Sequence, residues 1–290
     1  MNEEVTGLVH DTGPRSFVCS GVRIDEFGPQ AAASVLLESA YGVARRIHLC
    51  NAYTLSLAVR DRTYRELLNG SDLNFADGHY VAMVGRWRGH STMDERVYGP
   101  ALMLATLDLG RARGLRHYLY GASPETVSRL ALALRDRFPG VDIVGVDAPP
   151  FRPLTPAEEA DLLMRVSAAK PDVFWVGLGT PKQDRFVAEF ADRLTCTVVP
   201  VGAAFDFHAG TKMSPPRIAQ RFGLEWLFRL LAEPVRLWRR YLIGIPIFLV
   251  GVFADRVHTW CGATTATPYA IPRPRLETAS EPERLSMDVD

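Results

Sequence analysis

Short runs of mostly apolar residues alternate along this chain with longer stretches in which apolar positions recur every three or four residues. The runs at 46–50, 73–76, 116–120, 141–146, 173–176 and 197–201 have the pattern of strands covered on both faces. Residues 17–24 predict a first strand. The stretches at 27–43, 52–59, 61–68, 79–88, 99–113, 124–138 and 155–170 carry the helical period. Their ends are punctuated. Asn51 and Ser123 stand at N-cap positions, Thr155-Pro-Ala-Glu158 spells a capping box, and Asn69-Gly70 and Gly114 close helices. Strands alternating with helices predict a doubly wound, mostly parallel, Rossmann-like α/β sheet.

In such sheets ligands gather beyond the carboxyl ends of the strands. Asn51, Asp77-Gly78, the turn from Gly177 to Gln183, and Phe205-Asp206 all fall at such ends. The turn carries the most information. Gly177 and Gly179 let the backbone turn and let a ligand approach it. Thr180, Pro181 and Gln183 predict an N-cap, a first helical residue and a Thr-x-x-Gln capping box. Free N–H groups and the positive helix end would then meet at one spot, which suits a phosphate. An unliganded strand–turn–helix unit fits the same residues. Thr-Pro-Lys follows where a third glycine belongs, so the dinucleotide fingerprint G-x-G-x-x-G is not met.

The pattern changes near residue 212. Seven basic residues (Lys212, Arg217, Arg221, Arg229, Arg236, Arg239, Arg240) and two acids (Glu225, Glu233) are interleaved with tryptophan, phenylalanine and leucine. Residues 241–254 then run without a charge, interrupted by Gly244, Pro246 and Gly251. A spanning helix needs about 20 apolar residues, so this uncharged run is too short to cross a bilayer. Two readings fit: an element lying in the membrane interface, and an amphipathic helix docked on the core with its arginines in solvent. The predicted organisation is a loose arm (1–14), an α/β domain (15–211), a basic and apolar appendage (212–262) and a disordered tail (263–290).

Composition narrows the function. The chain has 290 residues and a formal net charge of zero, so no global field draws it to nucleic acid. Cys19, Cys50, Cys196 and Cys261 are scattered and read as reduced thiols, and the histidines show no ligand spacing. The N-terminus shows no signal peptide, which places the expected protein in the cytoplasm.

Five blocks in order carry a resemblance. They are Asn51 opening a helix, Phe75-Ala-Asp77-Gly78, Gly177-Leu-Gly-Thr-Pro-Lys-Gln183, Gly202-Ala-Ala-Phe-Asp206-Phe-His-Ala-Gly210, and Gly223-Leu-Glu-Trp-Leu-Phe-Arg229-Leu-Leu-Ala-Glu-Pro234-Val-Arg236. Together they resemble the WecG/TagA/CpsF glycosyltransferases over about residues 45–240. The resemblance implies an inverting enzyme that needs no bound metal or other cofactor. It implies transfer of a sugar from a UDP-sugar to a polyprenyl-diphosphate-linked sugar, in cell-envelope polysaccharide synthesis. The protein would sit peripherally on the inner face of the cell membrane, held there by its C-terminal appendage. Whether it forms a homo-oligomer stays open.

Carried over residue by residue, the resemblance makes Asp77 the base and Arg96 the group on the diphosphate or leaving group. Gln183 would face the nucleotide-sugar, in competition with its capping role. Asn51 would stand near the sugar or serve as a plain helix cap. Gly78, Gly177, Gly179 and Thr180 shape the donor site, and Asp206 would hold the ribose or simply end a strand. Arg229, Arg236 and Arg239 are candidates for the lipid-linked diphosphate or for anionic headgroups. Metal-dependent glycosyltransferases usually carry Asp-x-Asp, and here that pattern occurs only at Asp288-Val-Asp290. Two departures stand out: Leu49-Cys50-Asn51 where many members have Thr-Pro-Asn, and Met213-Ser214-Pro215 where many have Arg-Ala-Pro. Both point to a different donor or acceptor. Two other classes remain: a non-catalytic UDP-sugar-binding partner of an assembly complex, and a nucleotide-dependent oxidoreductase, which the missing third glycine disfavours.

Overall fold

The structure is a computed structural model that describes residues 15–260 apart from 91, 92 and 94. The predicted arm at 1–14, the tail at 263–290, Cys261 and the Asp288-Val-Asp290 pattern lie outside the described residues.

The first predicted strand is two. β1 (Ser16–Cys19) and β2 (Val22–Asp25) pair antiparallel, Ser16 opposite Asp25 and Cys19 opposite Val22. Ser20 and Gly21 turn between them with φ of 54° and 76°. A two-residue hairpin loop with both φ positive matches the twist of its strands, and only glycine takes that conformation freely. The predicted helix at 27–43 is shorter: α1 (Pro29–Leu37) passes into a 3₁₀ turn (Glu38–Tyr41) that Gly42 ends at φ 78°.

The rest alternates as the pattern predicts. β3 (Ile47–Cys50), α2 (Ala52–Arg60), α3 (Arg62–Asn69), β4 (Leu73–Ala76), α4 (His79–Trp87) and α5 (Gly99–Gly110) make the first half. Asp61 separates α2 from α3 and caps the latter by accepting from Tyr64 N at 3.1 Å. β5 (Arg116–Gly121), α6 (Pro124–Arg137), β6 (Asp142–Asp147), α7 (Pro156–Ala169), β7 (Val173–Gly177), α8 (Lys182–Phe190), β8 (Thr197–Pro200) and α9 (Ala204–His208) make the second. The Thr155–Glu158 capping box at α7 forms as predicted.

β6, β5, β7 and β8 form a parallel four-stranded sheet in that order, and β3 pairs parallel with β4. A bridge from Arg46 to Val198 sets β3 beside β8, with Val198 N donating to Arg45 O at 2.9 Å. The chain therefore crosses the sheet between β4 and β5 and returns β8 to the side of β3. β7 lies between β5 and β8, and its alternate residues serve two cores. Val173 and Trp175 pack toward α1, α5 and α6, while Phe174 and Val176 pack toward α7 and α8. Burial on both faces is why this strand reads as an unbroken apolar run.

After α9 come α10 (Arg217–Arg221), α11 (Glu225–Ala232), α12 (Pro234–Trp238) and α13 (Gly244–Trp260). A π-turn (Arg239–Ile243) joins α12 to α13 without a break. The helix so formed, Pro234–Val257, has 24 residues, and its most apolar 18-residue stretch has a mean hydropathy of 1.5, long and apolar enough by length and composition to cross a membrane. The length argument against crossing, drawn from residues 241–254 alone, is therefore overturned. The glycines and proline that interrupt the run do not end the helix. The wider π-turn falls where Pro246 withholds an N–H from the carbonyl one turn back.

One face of this helix packs on the core. A Cβ on Gly251 would lie 2.6 Å from the Val59 side chain, and one on Gly244 would lie 3.2 Å from Ser56 Oγ. Two glycines seven residues apart thus form a groove that admits α2. Phe248 is buried between them, and Ser20 Oγ donates to its carbonyl at 3.2 Å. Asp255 accepts from Ser20 N at 2.5 Å and Gly21 N at 3.0 Å. The opposite face leaves Val235, Leu242, Leu249, Val250 and Phe253 exposed.

Candidate active site

A cavity opens at the carboxyl ends of β3, β4, β7 and β8. Asn51, Asp77, Gly78, Arg96, Gly177, Gly179, Thr180, Gln183, Asp206, Arg229 and Arg236 all line it. Segments far apart in sequence meet there because parallel strands present all their carboxyl ends at one edge. Arg239 alone among the sequence candidates does not line the cavity; it is exposed and stacks over Trp238 at 5.2 Å.

Asp77 follows β4 directly. Its amide donates to Cys50 O at 3.0 Å, which ties it to the neighbouring strand. Oδ1 accepts from Gly99 N at 3.0 Å, and Oδ2 accepts from Asn51 Nδ2 at 3.4 Å. A Cβ on Gly99 would lie 2.8 Å from the tip of the Leu49 side chain, which would have to shift to admit it. Burial pushes the Asp77 carboxyl above the usual carboxylate range; Arg96 and the Gly99 and Asn51 hydrogen bonds oppose the rise, and Glu225 adds to it.

Asn51 takes the helix-cap role read for it and also meets Asp77. Its Oδ1 caps α2 by accepting from Tyr53 N at 3.1 Å and Thr54 N at 3.2 Å, while its Nδ2 reaches Asp77. The Thr180 capping box does not form. α8 begins at Lys182 with Pro181 at the N-cap and no side-chain cap, and the Thr180–Pro181 peptide is cis. Gln183 instead turns back: its Oε1 accepts from Gly179 N at 3.0 Å, and its backbone N donates to Gly179 O at 3.0 Å. Gly177 is required by packing, because a Cβ would meet the Phe205 ring at 2.5 Å. Asp206 sits in the short helix α9 rather than at a strand end, with Lys212 Nζ 3.3 Å away.

The C-terminal helices close the cavity. Arg96 Nη1 donates to Glu225 Oε2 at 2.7 Å, Nη2 donates to Oε1, and the guanidinium lies 4.5 Å over the Tyr98 ring. Trp226 Nε1 donates to Tyr80 OH at 2.9 Å. Gly223, at φ 69°, lies against His79, where a Cβ would meet the ring at 2.7 Å. Arg229 stands over Phe207 at 5.8 Å, and Arg236 pairs with Glu233.

Sequence reasoning missed Glu225 and Arg240. Arg240 lines the cavity with its guanidinium 4.5 Å over the Tyr53 ring, and its Nε is buried with no hydrogen-bond partner. Helical phase was the available signal within the last helix: residues 236 and 240 are spaced by four, which keeps one face, whereas 239 is turned about 100° from 240. A second cavity, lined by α1, α4 and α5, adjoins the first through His79, Arg96 and Tyr98. Among the described residues, no group of three or more His, Cys, Asp or Glu could hold a metal ion. Cys19, Cys50 and Cys196 are free and buried.

The doubly wound sheet carries at its carboxyl edge a cavity that holds a half-buried carboxylate and several arginines. The chain belongs to the glycosyl transferase WecG/TagA/CpsF family, which it matches over residues 17–261. It is similar to an N-acetylglucosaminyldiphosphoundecaprenol N-acetyl-beta-D-mannosaminyltransferase of Bacillus spizizenii, 29% identical over 196 residues, covering 67% of this chain and 73% of that protein. A Staphylococcus aureus protein of the same description is 28% identical over 200 residues, covering 69% of this chain and 76% of the relative. The chain is thus a glycosyltransferase of the hexosyl-transferring kind.

Proposed function

We propose that the protein transfers a sugar from a UDP-sugar to a polyprenyl-diphosphate-linked sugar in a single inverting displacement. The observation that carries this reading is the convergence of Asp77, Arg96 and the glycine turn with Arg229, Arg236 and Arg240 in one cavity. The relatives' names, which specify a diphosphoundecaprenol acceptor, support the acceptor class.

In the proposed step, Asp77 takes the proton of the acceptor hydroxyl as that oxygen bonds to the anomeric carbon. The bond from that carbon to the diphosphate breaks at the same time, and UDP leaves with the electron pair. A carboxylate held above its usual range is a stronger base than a free one, which suits this role. Gly99 and Asn51 fix its orientation. Departure of UDP develops negative charge, and the arginines supply positive charge in a partly dehydrated site, where it acts more strongly than in water. We assign Arg96, Arg229, Arg236 and Arg240 to this task, in place of a divalent cation. Gly177, Gly179, Thr180 and Gln183 would shape the donor side, and Asp206 the ribose.

The organisation reads as a catalytic domain at 15–211 and an appendage from 212 onward. The exposed apolar face of the helix Pro234–Val257 would rest on the membrane that carries the acceptor, with its glycine face on α2. That favours a peripheral placement on the inner face over a spanning one. The test is UDP release from a panel of UDP-sugars with a polyprenyl-diphosphate-linked N-acetylglucosamine analogue. One UDP-sugar should give turnover that depends on the acceptor. Equal UDP release with and without acceptor across the panel would refute the transfer.

A further inference from the structure

The acid that faces the arginines has no place in the reaction described so far. Glu225 opens α11, and its carboxylate engages both terminal nitrogens of Arg96. Both side chains are mostly buried, at 13% and 16% exposure, so the contact is protected from solvent competition. Neighbouring contacts fix it from two sides, through Trp226 on Tyr80 and through Gly223 on His79.

Arg96 thus interacts with two of the carboxylates that line the cavity, Glu225 by direct contact and Asp77 electrostatically. We propose that Glu225 is a positioning residue: its carboxylate holds the Arg96 guanidinium and so keeps Asp77 uncommitted to an arginine. This rests on the reading of Asp77 as base. Arg96 and Asp77 attract each other electrostatically, and no ion pair joins them in the structure, where the guanidinium fork is occupied by Glu225. An Asp77 paired to Arg96 would be a weaker base and would have its oxygens turned from the acceptor hydroxyl. The C-terminal segment therefore does more than cover the cavity: it supplies the anion that divides labour between Arg96 and Asp77.

The groups that interact with Asp77 are Arg96 and Tyr98 from the loop before α5, Glu225 from α11, Arg240 from the C-terminal helix, Cys50 from β3 and Asn51 ahead of α2, with Gly99 N on its Oδ1. Glu225→Gln removes one negative charge and frees Arg96 to turn toward Asp77. Both changes favour the ionised Asp77 carboxylate.

The experiment is a ¹³C NMR titration of the Asp77 carboxyl in the full chain, wild type against Glu225→Gln and Glu225→Asp, with thermal unfolding as a control for folding. Glu225→Gln should lower the Asp77 midpoint by about 1 pH unit or more, and Glu225→Asp should stay near wild type. In transfer assays, the acid limb of the pH–rate profile should move down with it, and the plateau rate should fall about tenfold. An unchanged or raised midpoint in a folded Glu225→Gln protein overturns the inference. If Asp77→Asn keeps full transfer activity, the base reading fails, and the titration still judges the inference separately.

Discussion

Removing the Asp255 carboxylate tests how the C-terminal helix is held. Asp255 accepts from Ser20 N at 2.5 Å and Gly21 N at 3.0 Å, and Arg88 Nη2 lies 3.6 Å from it. In Asp255→Ala the two turn amides lose their acceptor. Hydrogen bonds to a charged group contribute about 1.5–3 kcal/mol each. The turn is partly open to water, and burial holds the Asp255 carboxyl above its ordinary range, so removing it also relieves a desolvation cost. The net loss should be about 2 kcal/mol, which for a chain of this size is a fall in Tm of roughly 4–8 °C. The helix should not detach, because Phe248 and the Gly251 groove remain. Adding Phe248→Ala removes a buried ring at a further cost of about 3–5 kcal/mol, and protease should then cut within Pro234–Val257 while the sheet stays intact. Unchanged Tm in Asp255→Ala, together with protease resistance in the double variant, would refute the docking argument.

Arg240→Gln should weaken UDP-sugar or acceptor binding about tenfold or more by KM, as loss of a charge-assisted contact implies, whereas Arg239→Gln should change KM less than twofold; equal effects would contradict the assignment by helical face. Asp77→Asn should raise Tm at neutral pH, measured by thermal unfolding. The folded carboxyl titrates above its unfolded value, so the stability linked to its protonation is present below about pH 4 and is lost as pH rises through the folded value. For the same reason the transfer rate should fall on acidification at a midpoint above that of an ordinary aspartate, which a pH–rate profile reads directly. A chelator such as EDTA should leave the rate unchanged if arginines do the work of a cation; loss of activity that Mg²⁺ restores would argue against that.

The sheet and most of the site were legible because they depend on local pattern. Strand runs buried on both faces, such as Val173–Gly177, announce themselves by composition, and Asn51 announced its cap by type and position. What was not legible depended on geometry across the chain. Thr180 and Gln183 have the spacing of a capping box, yet Gln183 finds Gly179 N nearer, and helix α8 starts later. Residues 17–24 read as one strand because Ser20 gives little sign of a left-handed turn. Gly244 and Gly251 looked like interruptions until α2 lay in their groove. Glu225 counted only as a charge in a basic segment, since nothing local to it shows that Arg96 lies opposite.

The central claim, that a half-buried carboxylate at the sheet edge deprotonates the acceptor while arginines receive UDP, is tested most directly by Asp77→Asn. Transfer under single-turnover conditions and UDP affinity by calorimetry should be measured on the same preparation. Transfer should fall by about 10²–10⁴-fold, with UDP affinity nearly unchanged. Transfer at the wild-type rate in the folded variant would contradict the account.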